Sequence, residues 1–370
     1  MKVLIINTVC GIRSTGRIAS AMAEEYISAG HECVIAYGRE AVPQQYLNIS
    51  YRIGTDFGIY TNALKARFFD NEAFNAKRAT KKFIKWANSY DPDVLCLHNL
   101  HGYYINIKLL FDWIKSRPEM QVKWTLHDCW AFTGHCAHFS FVGCHRWKTG
   151  CHSCPQLGRY PAGLFLDRSQ KNYQRKKACF GGVENMTLTV PSLWLADLVK
   201  QSFLGEYPVE VVHNTINTQV FKPSESDFRK IYGLQDKYIV LGVATAWDDR
   251  KGLCDFIKLS RILDKDCKVV LVGLEKKQAA KMPADILCIP RTDSAKELAE
   301  IYTAADVFLN LSREETFGLT TVEALSCGTY PIVYKNTACE EVVNCYGGMA
   351  VEQDINAVAE AIKSFHRKSE

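Results

Sequence analysis

The sequence predicts an α/β protein with two doubly wound parallel sheets. Short apolar runs of strand length alternate with longer amphipathic stretches, which is typical of consecutive βα units. The alternation restarts in the second half of the chain, and 370 residues suffice for two domains of about 150 residues or more. Apolar residues at 47% and charged residues at 23% exclude a disordered chain and a membrane bundle.

The predicted strands form two sets of five, separated by stretches long enough to cross a sheet face as helices. In the first half, strands are predicted at 3–7, 33–37, 94–98, 122–126 and 186–191, with helices at 18–29, 79–89 and 109–116. In the second half, strands are predicted at 238–244, 268–273, 286–289, 307–311 and 331–334.

The predicted domain boundary lies within residues 212–223, where the turn His213-Asn214 precedes a non-periodic, proline-terminated stretch. This boundary gives a first domain at 1–213 and a second at 214–354.

The last segment, 355–370, is predicted to be an amphipathic helix that packs back on the first domain. Its apolar residues at helical spacing are Ile355, Val358, Ala359 and Ile362.

Charge and cysteine usage limit the environment of the protein. A net charge of +5 suits phosphate groups or an anionic membrane surface and does not require nucleic acid. The first apolar run is too short for a signal peptide, and no run approaches the roughly 18 residues of a spanning helix. We therefore expect a cytoplasmic protein whose fifteen cysteines are reduced or metal-bound.

The loop after the first predicted strand, residues 10–17, is a candidate anion site. Gly11 and Gly16 allow close backbone approach, and a helix N-terminus with free amides follows. Arg13 and Arg17 add positive charge. Because the segment lacks the GxGxxG spacing, an ordinary βα turn is the alternative interpretation.

The segment 312–331 follows a predicted strand and begins a helix near Thr320. It places Glu315 and Glu323 on either side of a Phe-Gly-Leu turn with exposed amides. Carboxylates can hold hydroxyl groups and amides can hold a diphosphate, which are the requirements of a nucleotide-sugar site. The alternative is a pair of solvated surface glutamates.

This segment is similar to the Glu-x7-Glu signature of the family-four retaining glycosyltransferases. The resemblance implies the glycosyltransferase-B fold, in which two Rossmann-like domains face each other. The stretches LHNLHGYY and TLHDCWAFTGHC resemble most the subgroup of colanic-acid, capsular or exopolysaccharide assembly. Further segments in the family's order are Gly16-Arg17, His127-Asp128, Asn214-Thr215-Ile216-Asn217 with Phe221 and Pro223, and Arg250-Lys251-Gly252.

The resemblance implies a role for each matching residue. Glu323 would hold the ribose hydroxyls, and Glu315 would hold the transferred sugar. Arg250 and Lys251 would neutralise the diphosphate, where charge develops as the sugar–phosphate bond breaks. His127 would face the sugar from the other domain, so the site would be complete only when the two domains close.

The candidate residues fall into three groups. The catalytic candidates are His127, Arg250, Lys251 and Glu315. The donor-binding candidates are Gly16, Arg291, Thr292, Phe317, Gly318, Leu319, Thr320 and Glu323. The acceptor-side candidates are Arg13, Arg17, His98, His101 and Asp128.

Two positions depart from the family pattern. Relatives usually carry an arginine five residues before the lysine, where this chain has Ala246, so we expect Arg250 to substitute. The boundary motif usually reads Asn-Gly-Ile-Asp, whereas this chain has Thr215 and Asn217. The family is usually metal-independent, so no cofactor is expected for catalysis.

Residues 127–154 concentrate five of the ten histidines and five of the fifteen cysteines. A CxxC at 151–154, together with Cys136 and Cys144, could supply four thiolates to a structural zinc ion. The alternative is a set of reduced, partly buried thiols near the acceptor site. The predicted ligands are Cys136, Cys144, Cys151 and Cys154, with His135, His138 or His145 able to replace one thiolate.

Basic and aromatic residues alternate from Tyr60 to Trp86, which is typical of a surface that contacts an anionic membrane. Such contact would place the protein at the inner membrane face. The alternative is a solvated helix whose aromatic residues face the core. The residues are Lys65, Arg67, Phe68, Phe69, Lys77, Arg78, Lys81, Lys82, Lys85 and Trp86.

The resulting prediction is a retaining, metal-independent hexosyltransferase-type enzyme. Its donor would be a UDP- or GDP-linked sugar, and its acceptor a glycan, lipid-linked, in surface polysaccharide biosynthesis. One alternative is a nucleotide-sugar epimerase on the same fold, which needs no acceptor. Another is a non-catalytic zinc-loop module that binds nucleic acid, against which the modest charge argues.

Overall fold

The computed structural model describes residues 1–369, so Glu370, the last residue of the predicted closing helix, lies outside the described residues. The chain divides into two compact units, residues 1–213 and residues from Asn214 onward. Each unit contains one parallel sheet with helices between successive strands.

The first unit has a seven-stranded parallel sheet in the order β3-β2-β1-β4-β5-β6-β7. Its strands are β1 (Lys2–Asn7), β2 (Glu32–Tyr37), β3 (Ser50–Arg52), β4 (Val94–Leu97), β5 (Gln121–Thr125), β6 (Met186–Val190) and β7 (Val209–Val211). Its helices are α1 (Arg13–Ser28), α2 (Asp56–Phe69), α3 (Lys77–Tyr90), α4 (Ile107–Lys115), α5 (Ser169–Phe180) and α6 (Leu193–Lys200).

The second unit has a six-stranded parallel sheet in the order β10-β9-β8-β11-β12-β13. Its strands are β8 (Tyr238–Val243), β9 (Cys267–Val272), β10 (Ile286–Ile289), β11 (Val307–Asn310), β12 (Tyr330–Tyr334) and β13 (Met349–Val351). Its helices are α7 (Phe228–Ile231), α8 (Leu253–Ile262), α9 (Lys276–Ala279), α10 (Ala295–Ala304), α11 (Leu319–Ser326), α12 (Ala338–Tyr346) and α13 (Ile355–Ser369).

All ten predicted strands are present, each within one residue of its predicted ends. The three strands that the sequence analysis missed, β3, β7 and β13, have three residues each and lie at sheet edges. A three-residue strand buried on neither face carries too short an apolar pattern to be recognised.

The strands beside the middle of each sheet, β1, β4, β8 and β11, are largely apolar because helices cover both faces of the sheet. In β1, Val3 to Ile6 are all fully buried, and Ile5 pairs with Ile35 on one side and Cys96 on the other. The strand order reverses between β1 and β4, and again between β8 and β11. In doubly wound sheets ligands bind at the carboxyl ends of the strands beside such a reversal.

The closing helix α13 buries its apolar face in the second unit. Val358 and Ile362 are fully buried in a cluster with residues of β8, β9 and β11. This differs from the predicted packing on the first domain, because the same apolar stripe is covered by the second unit's own sheet. None of the described helices is long and apolar enough to cross a membrane.

Candidate active site

Two loops of the second unit meet at the reversal between β8 and β11. Two hydrogen bonds and a close approach of the backbones join the loop at 248–252 to the loop at 311–318. The amide of Arg313 donates to the carbonyl of Arg250 at 2.8 Å, and the Arg250 guanidinium donates to the carbonyl of Glu314 at 3.2 Å. A Cβ on Gly252 would lie 2.4 Å from the Leu311 carbonyl oxygen. The two loops are therefore joined into one surface, residues 248–252 and 311–318, which we call the ledge.

Gly252 meets two requirements that other residues do not. Its φ of +76° lies in the left-handed region, and its missing side chain leaves room for the neighbouring loop. It also stands immediately before α8, so it fixes where that helix begins.

The side chains on this ledge place the predicted cation beside the predicted carboxylate. The Lys251 ammonium forms an ion pair with the Glu315 carboxylate, and their side chains are only 21% and 17% exposed. A partly buried pair is less screened by solvent than a surface pair. Lys251 is thus held at a defined position beside the first turn of α11.

The N-terminus of α11 offers backbone amides to an anion. Gly318 precedes the helix with a φ of +89° and has no side chain that could cap it. A Cβ there would lie 2.5 Å from the Cys339 sulfur, so the turn also needs glycine for space. The preceding Phe317 is buried and anchors the turn, whereas Leu319 and Thr320 in the first helical turn are partly exposed.

Glu323, the second predicted carboxylate, lies one turn further along α11. The hydroxyl of Tyr302 donates to its carboxylate at 3.1 Å. Burial and the neighbouring Glu323 raise the pKa of Tyr302 well above its usual value, so the phenol stays a donor. Tyr302 therefore orients Glu323, a contact that nothing in the sequence pattern indicated.

Buried polar residues beneath the ledge were also missed by the sequence analysis. Asp255 accepts from Arg313 at 2.8 Å and from the Tyr334 hydroxyl at 3.1 Å. Asn310, at the end of β11, accepts from the backbone amide and the hydroxyl of Ser312. The sequence did offer two signals for these contacts: an Asp on the apolar side of helix α8 and an Asn at the end of an apolar strand. Both residues are buried, and buried polar groups need hydrogen-bond partners.

The two candidates for the base pocket, Arg291 and Thr292, lie apart from the ledge. They follow β10, the edge strand, with β9 and β8 between it and β11. Arg291 is exposed and Thr292 is partly exposed. Their donor-binding role stays a prediction.

In the first unit, four predicted residues line one pocket at the carboxyl ends of β4 and β5. These residues are His98, His101, His127 and Asp128. His98 Nδ1 and His127 Nε2 are 2.8 Å apart, and the two rings stack. The sheet order places β4 and β5 side by side, which explains how loops distant in sequence meet.

The four residues of this pocket form two pairs that differ in charge. His98 pairs with His127, and His101 pairs with Asp128. Burial lowers the pKa of His127 to about 4 and that of His98 well below its usual value, so this pair is neutral at pH 7. Burial alone would lower the pKa of His101, but the Asp128 carboxylate 2.9 Å away raises it above its usual value. Burial would raise the pKa of Asp128, but His101 holds it well below its usual range.

Three further residues lie near His101 in this pocket: Tyr160, Glu72 and Lys176. The Tyr160 hydroxyl is 2.9 Å from His101 Nδ1. Lys176 donates to the Trp130 carbonyl at 2.7 Å and lies over the Trp130 ring, and burial lowers its pKa to about 7. None of these three residues belongs to a motif that sequence alone singles out.

The loop between β1 and α1 places its candidates at the same sheet edge. Gly16 is buried in the first turn of α1, where a Cβ would lie 3.0 Å from the side chain of Val9. Arg17 is exposed, and the guanidinium of Arg13 contacts both carboxylate oxygens of Glu40, at 2.7 and 3.1 Å. Part of the predicted positive charge is therefore already balanced by Glu40.

The second unit resembles a known protein family. Residues 224–370 match the sequence profile of the family described as Glycosyl transferases group 1. The chain is 26% identical to the colanic acid biosynthesis glycosyl transferase WcaC of Escherichia coli K12, over 86% of this chain and 78% of that protein. It is also 26% identical to the alpha-galactosylglucosyldiacylglycerol synthase of Streptococcus pneumoniae R6, over 44% of this chain and 47% of that protein.

A solved structure shows the same fold over the whole chain. The crystal structure of HepE from Anabaena in complex with UDP has a TM-score of 0.65 at 15% identity, covering 100% of this chain and 91% of that one. The two Rossmann-like units are thus those of the glycosyltransferase-B fold, as the resemblance implied. Residues 224–370 thus form a domain that matches the group 1 glycosyltransferase family.

Replacing Gly252 by Ala should destabilise the protein more than replacing Gly233 by Ala. Both glycines have positive φ, +76° and +65°, so both variants incur about 1–2 kcal/mol of backbone strain. Only at Gly252 does the new Cβ also meet a carbonyl oxygen, whereas nothing lies within 4 Å at Gly233. Thermal unfolding measures both losses. Equal losses would show that the loops can separate without penalty.

Acidification should weaken the first unit through its neutral histidine pair. His127 has a pKa of about 4 in the folded chain and near 6.5 when unfolded. Between these values the unfolded chain binds more protons, so the free energy of unfolding falls as pH falls, by up to about 3 kcal/mol. The destabilisation caused by His127→Gln should therefore shrink between pH 7 and 4.5 in denaturant titrations.

The control for this measurement is the exposed His145 of the same unit, replaced by Gln. We expect its small effect on stability to be the same at pH 7 and pH 4.5. A pH-independent difference between wild type and His127→Gln would contradict a neutral, buried His127.

Proposed function

We propose that this protein is a retaining glycosyltransferase that moves a sugar from a nucleotide diphospho-sugar to a lipid-linked glycan in surface polysaccharide biosynthesis. The observation that supports it most is the Lys251–Glu315 ion pair beside the uncapped N-terminus of α11, with Glu323 one turn on. This group combines fixed cations, free amides and two carboxylates within the group 1 domain.

Each member of the ledge has a chemical role in the proposal. Lys251 and Arg250 stabilise the charge that develops on the departing diphosphate, and the α11 amides bind its oxygens. Glu315 accepts from hydroxyls of the transferred sugar, and Glu323, oriented by Tyr302, accepts from the ribose. Because the cations are side chains, this chemistry requires no metal ion.

The donor is proposed to be UDP- or GDP-linked. HepE, which shares the fold, is described in complex with UDP, which supports a uridine nucleotide first. The pocket that selects the base depends on a few contacts, for which Arg291 and Thr292 remain the candidates.

The acceptor is proposed to bind at the first-unit pocket of His98, His101, His127 and Asp128. The neutral His127 suits hydrogen bonding to a sugar hydroxyl, and the charged pair His101–Asp128 fixes the neighbouring loop. WcaC is named for colanic acid biosynthesis and the S. pneumoniae relative for a glycolipid, which supports a glycan acceptor carried on a lipid.

Helix α2 presents the surface that we propose contacts the membrane. Phe57, Tyr60, Leu64 and Phe68 share one helical face and are all exposed, with Phe57 at 78% and Tyr60 at 63%. Phe165, in the loop at 164–166, stacks on Phe68 and is itself exposed. Exposed apolar side chains continuous over a helix and a loop mark an interaction surface.

Five of the seven basic residues of the predicted pattern lie on α3, and the other two, Lys65 and Arg67, lie on α2. The lysines and arginine of α3 are exposed, whereas Phe83 is fully buried and Trp86 stacks on Tyr51 and Tyr90. The aromatic residues of α3 thus face the core, as the alternative interpretation held, and the exposed aromatic residues come from α2. The exposed bases of α3 are Lys77, Arg78, Lys81, Lys82 and Lys85.

A nucleotide-sugar donor should raise the melting temperature of the purified protein. Ligands that bind only the folded state stabilise it by mass action, by about 2.7 kcal/mol at 100 times the dissociation constant. Among UDP-, GDP-, ADP- and CDP-sugars, we expect a shift with one nucleotide class. Glu323→Gln should reduce the shift, whereas Lys251→Met should lower turnover by at least 100-fold.

The control variant for this experiment is Glu341→Gln, which changes an acidic residue of α12 rather than of the ledge. It should keep the full shift. Donor consumption without an acceptor, at the rate seen with one, would favour the epimerase. The absence of any shift would contradict the donor site.

The α2 surface should bind anionic vesicles. Sedimentation with phosphatidylglycerol vesicles should capture the wild type, and phosphatidylcholine vesicles should capture much less, because the α3 bases attract anionic headgroups. The double variant Phe57→Ser, Tyr60→Ser should reduce binding several-fold. Ile231→Ser, which removes an exposed apolar side chain of the second unit, should not. Equal binding by both variants would exclude α2.

A further inference from the structure

The cysteines of the long loop between β5 and α5 have no role in the proposed transferase chemistry, although His127 and Asp128 at the start of the same loop do. Residues 126–168 connect β5 to α5 with only three short 3-10 turns, Trp130–Phe132, Ser140–Val142 and Arg146–Lys148. Irregular segments of this length are uncommon in compact domains, and this one is held in part by buried aromatic side chains such as Trp130 and Trp147. Disulfides do not hold it, because the cysteines of this loop are all free thiols.

The four predicted cysteines line a single pocket. Besides these thiols, His135 and His152 line it, and Phe139 and Trp147 form part of its apolar wall. The sulfurs come from three separate places in the loop, Cys136, Cys144 and the CxxC at 151–154. The fold therefore collects the soft ligands that zinc prefers at one point.

His135 gives independent support for a metal at this point. Its Nδ1 lies 2.6 Å from an Asp70 carboxylate oxygen, and the two side chains are 1% and 3% exposed. Its Nε2 is buried without a hydrogen-bond partner in the described chain. A histidine held by a carboxylate through one nitrogen, with the other nitrogen unpartnered, is the arrangement that orients zinc-binding imidazoles.

Two further hydrogen bonds hold parts of the loop in place around the pocket. The backbone amide of Gly134 donates to the Cys151 sulfur at 3.1 Å, which stabilises a thiolate there. Asp70 also accepts from the Arg168 amide at 2.6 Å through its second oxygen. The carboxylate that orients His135 is therefore fixed by the far end of the same loop.

The side chains must still close around an ion. Within residues 1–369, the group of three ligand-type side chains whose ligand atoms all lie within 4.8 Å of one another is Asp266, Cys267 and His366, not the cysteines. Tetrahedral zinc with bonds of about 2.3 Å brings sulfurs to about 3.8 Å. The proposed site therefore requires the cysteine side chains to rotate within the pocket when an ion binds. The Asp266 carboxylate is exposed, whereas Cys136 and Cys151 of the cysteine pocket are buried.

We propose that this pocket is a structural zinc site in which His135 supplies the nitrogen ligand and three cysteine thiolates, including Cys151 and Cys154, supply the rest. Zinc bonded to these residues joins the middle of the loop to its end. Through Asp70 it also joins the loop to the C-terminal end of α2. The proposed ligands are different residues from those proposed to bind the donor or the acceptor.

The first test is the metal content of the full-length protein purified without chelators from zinc-supplemented cells. Elemental analysis should find about one zinc ion per chain in wild type. The double variant Cys151→Ser, Cys154→Ser should lose it. The matched double variant Cys254→Ser, Cys345→Ser, which changes exposed thiols of the second unit, should retain it.

Two further measurements keep the proposal falsifiable if the double variant fails to fold. Asp70→Asn should lower zinc affinity by about 10- to 100-fold, because it removes the group that orients His135. Cobalt-substituted wild type should show the absorption of three thiolates and one imidazole. Reduced wild type that neither contains nor takes up zinc would overturn the site, and a four-thiolate spectrum would overturn the role of His135.

Discussion

The close approach of two backbone segments, made possible by the missing side chain of Gly252, is the constraint on which the candidate donor site depends. The Leu311 carbonyl occupies the space that any other residue's Cβ would need. With the two loops in contact, Lys251 reaches Glu315 although the residues are far apart in sequence. The chemistry of the site thus follows from a steric fact about the backbone, and the charged residues take their positions from it.

The sequence predicted the central strands, because helices on both faces require continuous apolar runs. It also predicted the two glutamates, because they lie on one short loop and helix. It did not predict Tyr302, whose contact with Glu323 depends on the packing of α10 against α11. The sequence also failed to predict the short edge strands and the packing of α13. Tertiary contacts determine both features, and these contacts cannot be read from local periodicity.

The first-unit pocket was predicted as a set of histidines, but its electrostatics could not be. Whether a histidine is charged depends on burial and on its partner. His98 and His127 face one another, whereas His101 faces Asp128. Glu72 and Lys176 are further ionisable groups in the same interior, where burial raises the pKa of Glu72 and lowers that of Lys176, and burying such groups rarely increases stability. Buried ionisable groups are expected in a pocket whose hydrogen bonds must be held in place, even though burying these groups lowers the free energy of unfolding.

The Lys251–Glu315 ion pair has a consequence for the end of the catalytic cycle. Under the proposed roles, a bound donor separates the pair, since its phosphates draw the lysine and its sugar hydroxyls draw the glutamate. After transfer the sugar has left, and the glutamate is free to recapture the lysine from the nucleoside diphosphate. The enzyme's own carboxylate then competes with the spent nucleotide, which favours product release and limits inhibition by the free diphosphate.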